Sequence, residues 1–547
     1  MGKLKDWRIL LLFSMVAAYS LLLMTMVNDY YELPSEGFSK EVALRDYEKP
    51  NTYQAYDDKS FTTGQVDDGF FLLVNDGQEL IFERYTPYGK VLSSHTIEDN
   101  IATVLDISAK LVGEEVHYIY HNEEGLFAGS VNLEDGRLQE HFVINTHVQQ
   151  VILHGKEAVY SVEDQYFYYH ESEQALFRDE NIKQFDFKSL EDSVFVTTIS
   201  REIGPFYTSF YEVDFQAGTV KQFHIRDYIT SNATKDADHQ LYYGDNSFRS
   251  MSIFRDSRTN NTYYKELVFS RAAPQNAVFS KFEANDLPNF TYKNIEGDTV
   301  TTIMEKFTFV SKDEVASANN TYRNLVEVTD VNGQKTFKRL TKMKKGHPIY
   351  ESFELMDASY LIFNTIEQEN GQSRGMIYMA TSVPEIVETS NTLNGEHFME
   401  LIYGALTVLP AALAIGFIPS MGFLFPVILF VMPLSLIKIT WTERHPEKLL
   451  RASIGAYIVS VLYGFYESAL KIVHKTQVMS GSLPWHLQSI SRMYMMLMVV
   501  FAVSFLAYRW YYSKKPEVSF MLHFGVFALT NSILFIMLFY AYSLLAN

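Results

Sequence analysis

The sequence predicts a membrane protein in two parts. One is an extracytoplasmic all-β domain, a β-propeller of about seven blades. The other is helical: an N-terminal membrane anchor and a C-terminal bundle of about five spans. Three observations predict this division. Apolar runs flank a polar middle of 371 residues, 28–398. That middle is built of short Val-, Ile-, Tyr-, Phe- and Thr-rich runs bounded by Asp, Asn and Gly. A glycine-closed hairpin recurs along it at near-propeller spacing.

Charge follows the same division. The formal net charge is -19 and the mean hydropathy is -0.07. Residues 1–27 carry Lys3, Lys5 and Arg8 against Asp6, or +2, and residues 399–547 carry ten Lys/Arg against five Glu, or +5, which leaves -26 for 28–398. So acidic a domain repels nucleic acid, and no nucleic-acid partner is expected. The absence of cysteine excludes disulfides, thiolate metal sites and thiol catalysis. A disulfide-free outer domain fits a bacterial surface, that of a Gram-positive cell in particular. The four Asn-x-Ser/Thr sites, at Asn232, Asn260, Asn289 and Asn319, are read as chance.

The cytoplasmic N-terminus is 1–8, and the uncharged run Ile9–Val27 follows at once. Nineteen residues are longer than a signal-peptide core, and no Ala-x-Ala exit follows, so 9–27 is expected to stay as a signal anchor. Its basic flank then faces the cytoplasm and the chain from residue 28 lies outside. Five further spans are expected at 399–418, 421–440, 452–473, 493–512 and 519–545, the first two meeting at Pro419-Ser420 in a tight helical hairpin. Six crossings put the basic loops 441–451 and 509–518 outside, against the positive-inside tendency. A re-entrant segment within 399–440 would move both loops inside.

Residues 28–60 read as a connector and 61–390 as the propeller-like domain. The repeated hairpin appears in Tyr85-Thr86-Pro87-Tyr88-Gly89-Lys90-Val91, Val131-Asn132-Leu133-Glu134-Asp135-Gly136-Arg137-Leu138, Val213-Asp214-Phe215-Gln216-Ala217-Gly218-Thr219-Val220 and Val328-Thr329-Asp330-Val331-Asn332-Gly333-Gln334. Gly89, Gly136, Gly218 and Gly333 would supply the positive φ of the turn. Weaker copies fit near Glu173, Asn260 and Glu385. Gly89 to Gly136 is 47 residues and Gly136 to Gly218 is 82, or two steps of 41, where a blade needs about 40–45. The long step from Asn260 to Gly333 would hold an insertion at 274–300 or an eighth, shortened blade. The pattern resembles bacterial β-propellers in general, over about 60–390, without a Trp-Asp or kelch signature. A pair of sandwiches or a β-rich multidomain chain is the alternative.

No catalytic motif is present, no enzyme activity is expected, and no cofactor or metal is implied. Asp236-Ala237-Asp238-His239 is the nearest thing to a ligand cluster, and a solvated turn explains it better. His117, His121, His141 and His147 are scattered among strands without zinc spacing. Within the spans, Glu467 and Lys471 stand four apart on one helix face, either as an ion pair on a polar path or as a snorkelling lysine with its partner. His523, Asn531 and Ser532 share broadly one side of the last span, where such residues join helices. The partners expected are the lipid bilayer and either another integral membrane protein or an extracellular ligand. The function expected is a sensor or scaffold module. A transport or export component and an enzyme with a funnel site are the rivals.

Overall fold

The computed structural model describes residues 7–31, 34–35, 37–48, 59–190, 193–201, 206–229, 234–244, 246–256, 262–283, 290–296, 299–305, 307–311, 314–317, 325–331, 334–341, 349–369, 372–390, 392, 395–431, 433, 445–476, 486–487 and 489–541. The chain divides into two units, and each is described by itself. The β unit covers 33–308 and 316–390; the helical unit covers 1–32, 309–315 and 391–547.

The β unit opens with β1 (Val42–Glu48) and continues as a series of hairpins. Sheet one is β2 (Phe61–Val66), β3 (Gly69–Asp76), β4 (Glu79–Tyr85) and β5 (Val91–Asp99). Sheet two is β6 (Val104–Val112), β7 (Glu115–Asn122), β8 (Gly125–Asn132) and β9 (Leu138–Asn145). Sheet three is β10 (Gln150–His154), β11 (Glu157–Val162), β12 (Gln165–Tyr169) and β13 (Glu173–Arg178). Sheet four is β14 (Ile182–Leu190), β15 (Ser193–Arg201), β16 (Phe206–Asp214) and β17 (Thr219–Ile229). Sheet five is β18 (Thr234–Gly244), β19 (Ser247–Asp256), β20 (Thr262–Ser270) and β21 (Ala273–Glu283). Sheet six joins β22 (Phe290–Glu296) and β23 (Thr299–Glu305) to β26 (Leu325–Val331) and β27 (Gln334–Arg339), with a hairpin, β24 (Phe307–Ser311) and β25 (Glu314–Ser317), inserted between them. Sheet seven is β28 (Tyr350–Leu355), β29 (Ala358–Glu369) and β30 (Gln372–Thr381), completed by β1 in the order β1-β30-β29-β28.

The apolar cores lie between successive sheets. Leu73 and Phe82 of sheet one meet Ile107, Val116 and Tyr120 of sheet two. Ile119 and Leu126 meet Leu153 and Tyr160. Val159 and Tyr168 meet Phe187, Val196 and Tyr211. Phe195 and Phe210 meet Phe248 and Phe269. Ile303 and Leu325 of sheet six meet Leu361 and Phe363 of sheet seven, and sheet seven returns to sheet one through Tyr360, Ile362 and Met379 against Phe61, Phe70 and Tyr85. Middle strands such as β15 are buried along nearly their whole length, whereas fourth strands such as β9 are exposed. Sheets stacked face to face around an axis, with the first strands innermost, are a β-propeller.

Two differences from the sequence reading concern how the ring closes. Residues 28–60 are more than a connector, because β1 lies within them and pairs antiparallel with β30. No hairpin is formed at Glu385, which lies in the first turn of helix α2 (Pro384–Ser390), since the fourth strand of sheet seven comes from the other end of the domain. Strand β1 is short and half polar, so its alternation alone is weak. It is held by Tyr47, whose ring lies over Gly375 and whose Oη accepts from Asn364 Nδ2 at 3.0 Å. Arg45 adds ion pairs to Asp76, at 2.8 Å, and to the buried Glu83 of sheet one. A third difference lies in the long step: 274–300 is not an insertion but the positions of β21, β22 and part of β23, and the inserted piece is the β24–β25 hairpin.

The helical unit contains α1 (Trp7–Tyr31), α3 (Gly395–Gly422), a π-helical turn (Val427–Val431), α4 (Pro446–Thr476), α5 (Ile490–Lys514), α6 (Phe520–Phe535) and a second π-helical turn (Ile536–Tyr540). Among the described residues, four segments are long and apolar enough to cross a membrane: Leu401–Gly422, Pro446–Phe465, Ile490–Lys514 and Phe520–Tyr540; Leu12–Val27 is a shorter apolar helix. The break expected at Pro419-Ser420 falls later. Helix α3 runs on to Gly422, Ser420 Oγ donates to Phe417 O at 2.8 Å, and the chain turns at Phe423-Leu424. Pro419 has no N–H to give to Ile415 O, so the helix loses one hydrogen bond just before it ends. The rest of span 421–440 lies largely outside the described residues.

Small residues set the close contacts: a side chain at Gly404 would meet Met26, one at Gly416 would meet Ile536, and one at Gly464 would meet Phe423. The starts of α4 and α6 and the end of α5 share one end of the bundle, where Tyr512 Oη donates to Glu447 Oε1 at 3.0 Å. The end of α3 lies at the other end, with Phe423 against Phe535 and Gly464.

Candidate functional site

The first strands of the sheets carry a recurring polar position. Thr62, Ser108, Gln150, Asp186 and Glu351 each stand four residues before the last residue of β2, β6, β10, β14 and β28. Every one of them hydrogen-bonds to a neighbouring sheet. Glu351 accepts from Thr62 Oγ1 at 3.0 Å and from Thr63 N at 2.6 Å. Ser108 Oγ accepts from Gly155 N at 2.7 Å. Gln150 Nε2 donates to Lys183 O at 3.4 Å. Asp186 Oδ2 accepts from Leu241 N at 2.6 Å, and its Oδ1 lies 2.8 Å from His154 Nε2. Lys59 completes the set, with Nζ 2.6 Å from Glu351 Oε1 and its N–H donating to Leu105 O at 3.0 Å.

This polar layer staples sheet to sheet, and it also places charge around the axis. Burial pushes the Asp106 carboxyl up to about 6, against the pull of the nearby Lys59 and His154. Burial works the same way on Asp186, but the imidazole of His154 and the Leu241 N–H outweigh it and hold that carboxyl below its ordinary range. Burial disfavours the Lys59 ammonium, yet Glu351 and Asp106 raise its pKa. The side chains of His154 and Lys59 keep 43% and 26% of their surface, so this layer is wetted rather than sealed. Three carboxylates, one ammonium and one imidazole suit a ligand rich in hydrogen-bond donors or positive charge. They do not form a nucleophile–base pair.

A second polar layer lies between sheets four and five, between two apolar ones. Above and below it are Phe195, Phe210 and Phe248, and Ile199, Phe206 and Phe254. Within it, His239 bridges Thr197 Oγ1 at 2.8 Å and Ser252 Oγ at 3.0 Å. Lys265 Nζ donates to Thr208 Oγ1 at 3.3 Å. Burial lowers His239 to about 4 and Lys265 to about 7. His239 is therefore neutral in the fold and charged more readily when unfolded. Its contribution is fully present above pH 6.5 and is lost as the pH falls from there toward 4. Asp106 acts in the opposite sense below pH 6, so a variant must isolate the histidine. Relative to His239→Gln, the natural chain should lose denaturant resistance between pH 6.5 and 4.5; parallel curves would show that His239 is not buried neutral.

In the helical unit, four side chains from three helices converge. Tyr457 Oη of α4 donates to Asn531 Oδ1 at 3.3 Å and lies 3.2 Å from Ser532 Oγ, both on α6. Asn531 Nδ2 donates to Ser504 Oγ of α5 at 3.4 Å. All four are buried. Asn531→Leu should lower the resistance of the bundle to detergent unfolding by about 1 kcal/mol; unchanged or higher resistance would mean that the cluster adds nothing to cohesion. His523 is not part of this group. It is buried against the rings of Tyr511 and Tyr512 near the α5–α6 turn. The α4 backbone continues through Glu467 and Lys471, whose side chains lie outside the described residues.

Three of the hairpin glycines take the positive φ expected: Gly89 +75°, Gly136 +63° and Gly218 +62°. They join third to fourth strands in sheets one, two and four. Gly333 lies outside the described residues. Asn260 also does, and it falls between β19 and β20; the corresponding turn of sheet five is Arg271-Ala272. The side chains of Asp236 and Asp238 lie outside the described residues, while His239 beside them is the buried bridge. The polar layer of first strands was missed because each member looks like an ordinary strand residue. Aligning the first strands on their own hairpins, rather than the glycine turns, brings Thr62, Ser108, Gln150, Asp186 and Glu351 into one column.

No protein-family model and no curated protein matches the sequence. Solved structures similar to this chain include the Dos1 propeller, at 10% identity over 62% of this chain and 94% of that one, TM-score 0.40. The WD40 domain of SCAP from fission yeast is similar at 11% identity over 58% and 82%, TM-score 0.31. Polysaccharide lyase Uly1 is similar at 10% identity over 63% and 99%, TM-score 0.33. Likeness at such scores carries no argument of its own, and the β-propeller fold stands on the sheet order and on the cores between successive sheets.

Proposed function

We propose that this chain is a multi-pass protein of the cell membrane that presents a seven-bladed β-propeller outside the cell as a ligand- or protein-binding sensor or scaffold module. Its helices hold the domain and dock another integral membrane protein. The reading is supported above all by the first-strand layer, in which Lys59, Asp106, His154, Asp186 and Glu351 place charge around a wetted axis without a catalytic set. Each of the seven sheets is taken as one blade, with β1 closing the ring. Six crossings are favoured by the positions of the helix ends: α3 finishes at the end of the bundle opposite the start of α4, a separation of about 28 Å along α4 from Pro446 to Phe465. The absence of cysteine supports a Gram-positive bacterial surface.

A second reading, a transport or export component, is favoured by the Tyr457–Asn531–Ser504 cluster and by the two π-helical turns, features that recur at working sites in membrane helices. Truncation separates the two. Met1–Ser390 expressed in cells lacking the protein should keep surface binding of the natural ligand and lose cross-linking to a membrane partner. If 399–547 behind a new start signal restores all cellular function, the binding reading fails and transport takes its place.

A further inference from the structure

Among the described side chains of α4, α5 and the α5–α6 turn, those at the end of the bundle where α4 and α6 begin and α5 finishes carry an excess of positive charge. Arg451 stands 3.6 Å from Glu447 on α4, Tyr512 of α5 donates to the same Glu447, and Tyr508 and Arg509 lie beside them. Lys448, Lys514 and Lys515 are exposed at the same end, so among the described side chains of α4, α5 and the turn after α5 five cations stand with two carboxylates, Glu447 and Glu517. The helix N-termini at Pro446 and Phe520 add their positive ends. Tyr508, Trp510, Tyr511 and Tyr512 form an aromatic collar where α5 ends, the depth at which such rings meet headgroups.

We propose that this end is a docking surface for anionic phospholipid headgroups, with Arg451 and Arg509 holding the phosphate and the Tyr508 hydroxyl as a further donor. Guanidinium forks match phosphate oxygens in pairs, and tyrosine rings tolerate the interface. The proposal rests on the membrane reading given above. It also gives the basic loops 441–451 and 509–518 a reason to lie outside, against the usual bias: their charge is used there.

The test reconstitutes the full chain into vesicles of phosphatidylcholine alone or with one-third phosphatidylglycerol, and measures thermal denaturation and the lipid retained after detergent extraction. Phosphatidylglycerol should be enriched at least about fivefold over phosphatidylcholine, and Arg451→Gln with Arg509→Gln should abolish the enrichment. Both arginines are exposed, so the double variant should melt like the natural chain in pure phosphatidylcholine; that melt establishes that it folds. Equal retention of the two lipids, enrichment that survives the double change, or displacement of the lipid by millimolar glycerol phosphate would overturn the proposal. A chain that floats with neither vesicle would overturn the membrane reading itself, whereas flotation without lipid preference would overturn the headgroup site alone.

Discussion

Gly69→Ala should prevent the β domain from folding, or destabilise it by about 4 kcal/mol or more. A Cβ at this position would stand 1.9 Å from Tyr85 O, in the backbone of the neighbouring strand. Gly69 opens β3 directly after the Asp67-Asp68 turn, and Phe70 beside it pairs with Tyr85. Neither backbone can retreat, because Phe70 and Tyr85 stack at 5.1 Å and are fully buried in the core between sheets seven and one. Gly113→Ala is the natural control: its φ is +61° but nothing lies within 4 Å. It should cost about 1 kcal/mol, for conformation alone. Urea denaturation of the two variants checks the contrast. Equal, small losses would mean that the β3–β4 pairing is wrong.

Tyr47→Ala should cost about 3–5 kcal/mol, the range for emptying a buried aromatic site. Tyr47 is 2% exposed on a strand of only seven residues. It lies in the core that joins sheet seven to sheet one, and it donates nothing to its own hairpin because β1 has none. The change therefore strikes ring closure. Native-state hydrogen exchange should show β30 amides losing protection first, followed by those of β28 and β29. A loss under 1 kcal/mol, with β30 still protected, would mean that β1 does not close the ring.

These two residues also mark where the sequence was and was not legible. The four-strand rhythm was readable from the glycine turns, since Gly89, Gly136 and Gly218 sit where a side chain in that backbone conformation would be strained. The ring closure was not readable, because β1 is held by single side chains, Tyr47 and Arg45, whose partners lie hundreds of residues away or in another sheet. Local alternation does not report such contacts. The same limit hid the first-strand layer: Asp186 among Phe185 and Phe187 reads as a strand with one polar break until its bonds to His154 and Leu241 are seen. In the helices, Asn531 and Ser532 could be picked out because polar residues are costly there. Their partners, Tyr457 and Ser504, could not, since tyrosine and serine are common in spans. His523 was grouped with Asn531 by helical spacing, but the two meet different neighbours.

A propeller held outside the membrane by six crossings is the central proposal. The chain has no cysteine, so single cysteines can be placed on the natural background. Ser172 is exposed in the β domain, Ser513 is exposed near the end of α5, and Ser480, outside the described residues, falls between α4 and α5 in the sequence. In intact cells, an impermeant thiol reagent should label Ser172→Cys and Ser513→Cys and should leave Ser480→Cys unlabelled until the membrane is opened. Labelling of Ser480→Cys with protection of Ser513→Cys would contradict six crossings, and protection of Ser172→Cys would contradict an outer propeller altogether.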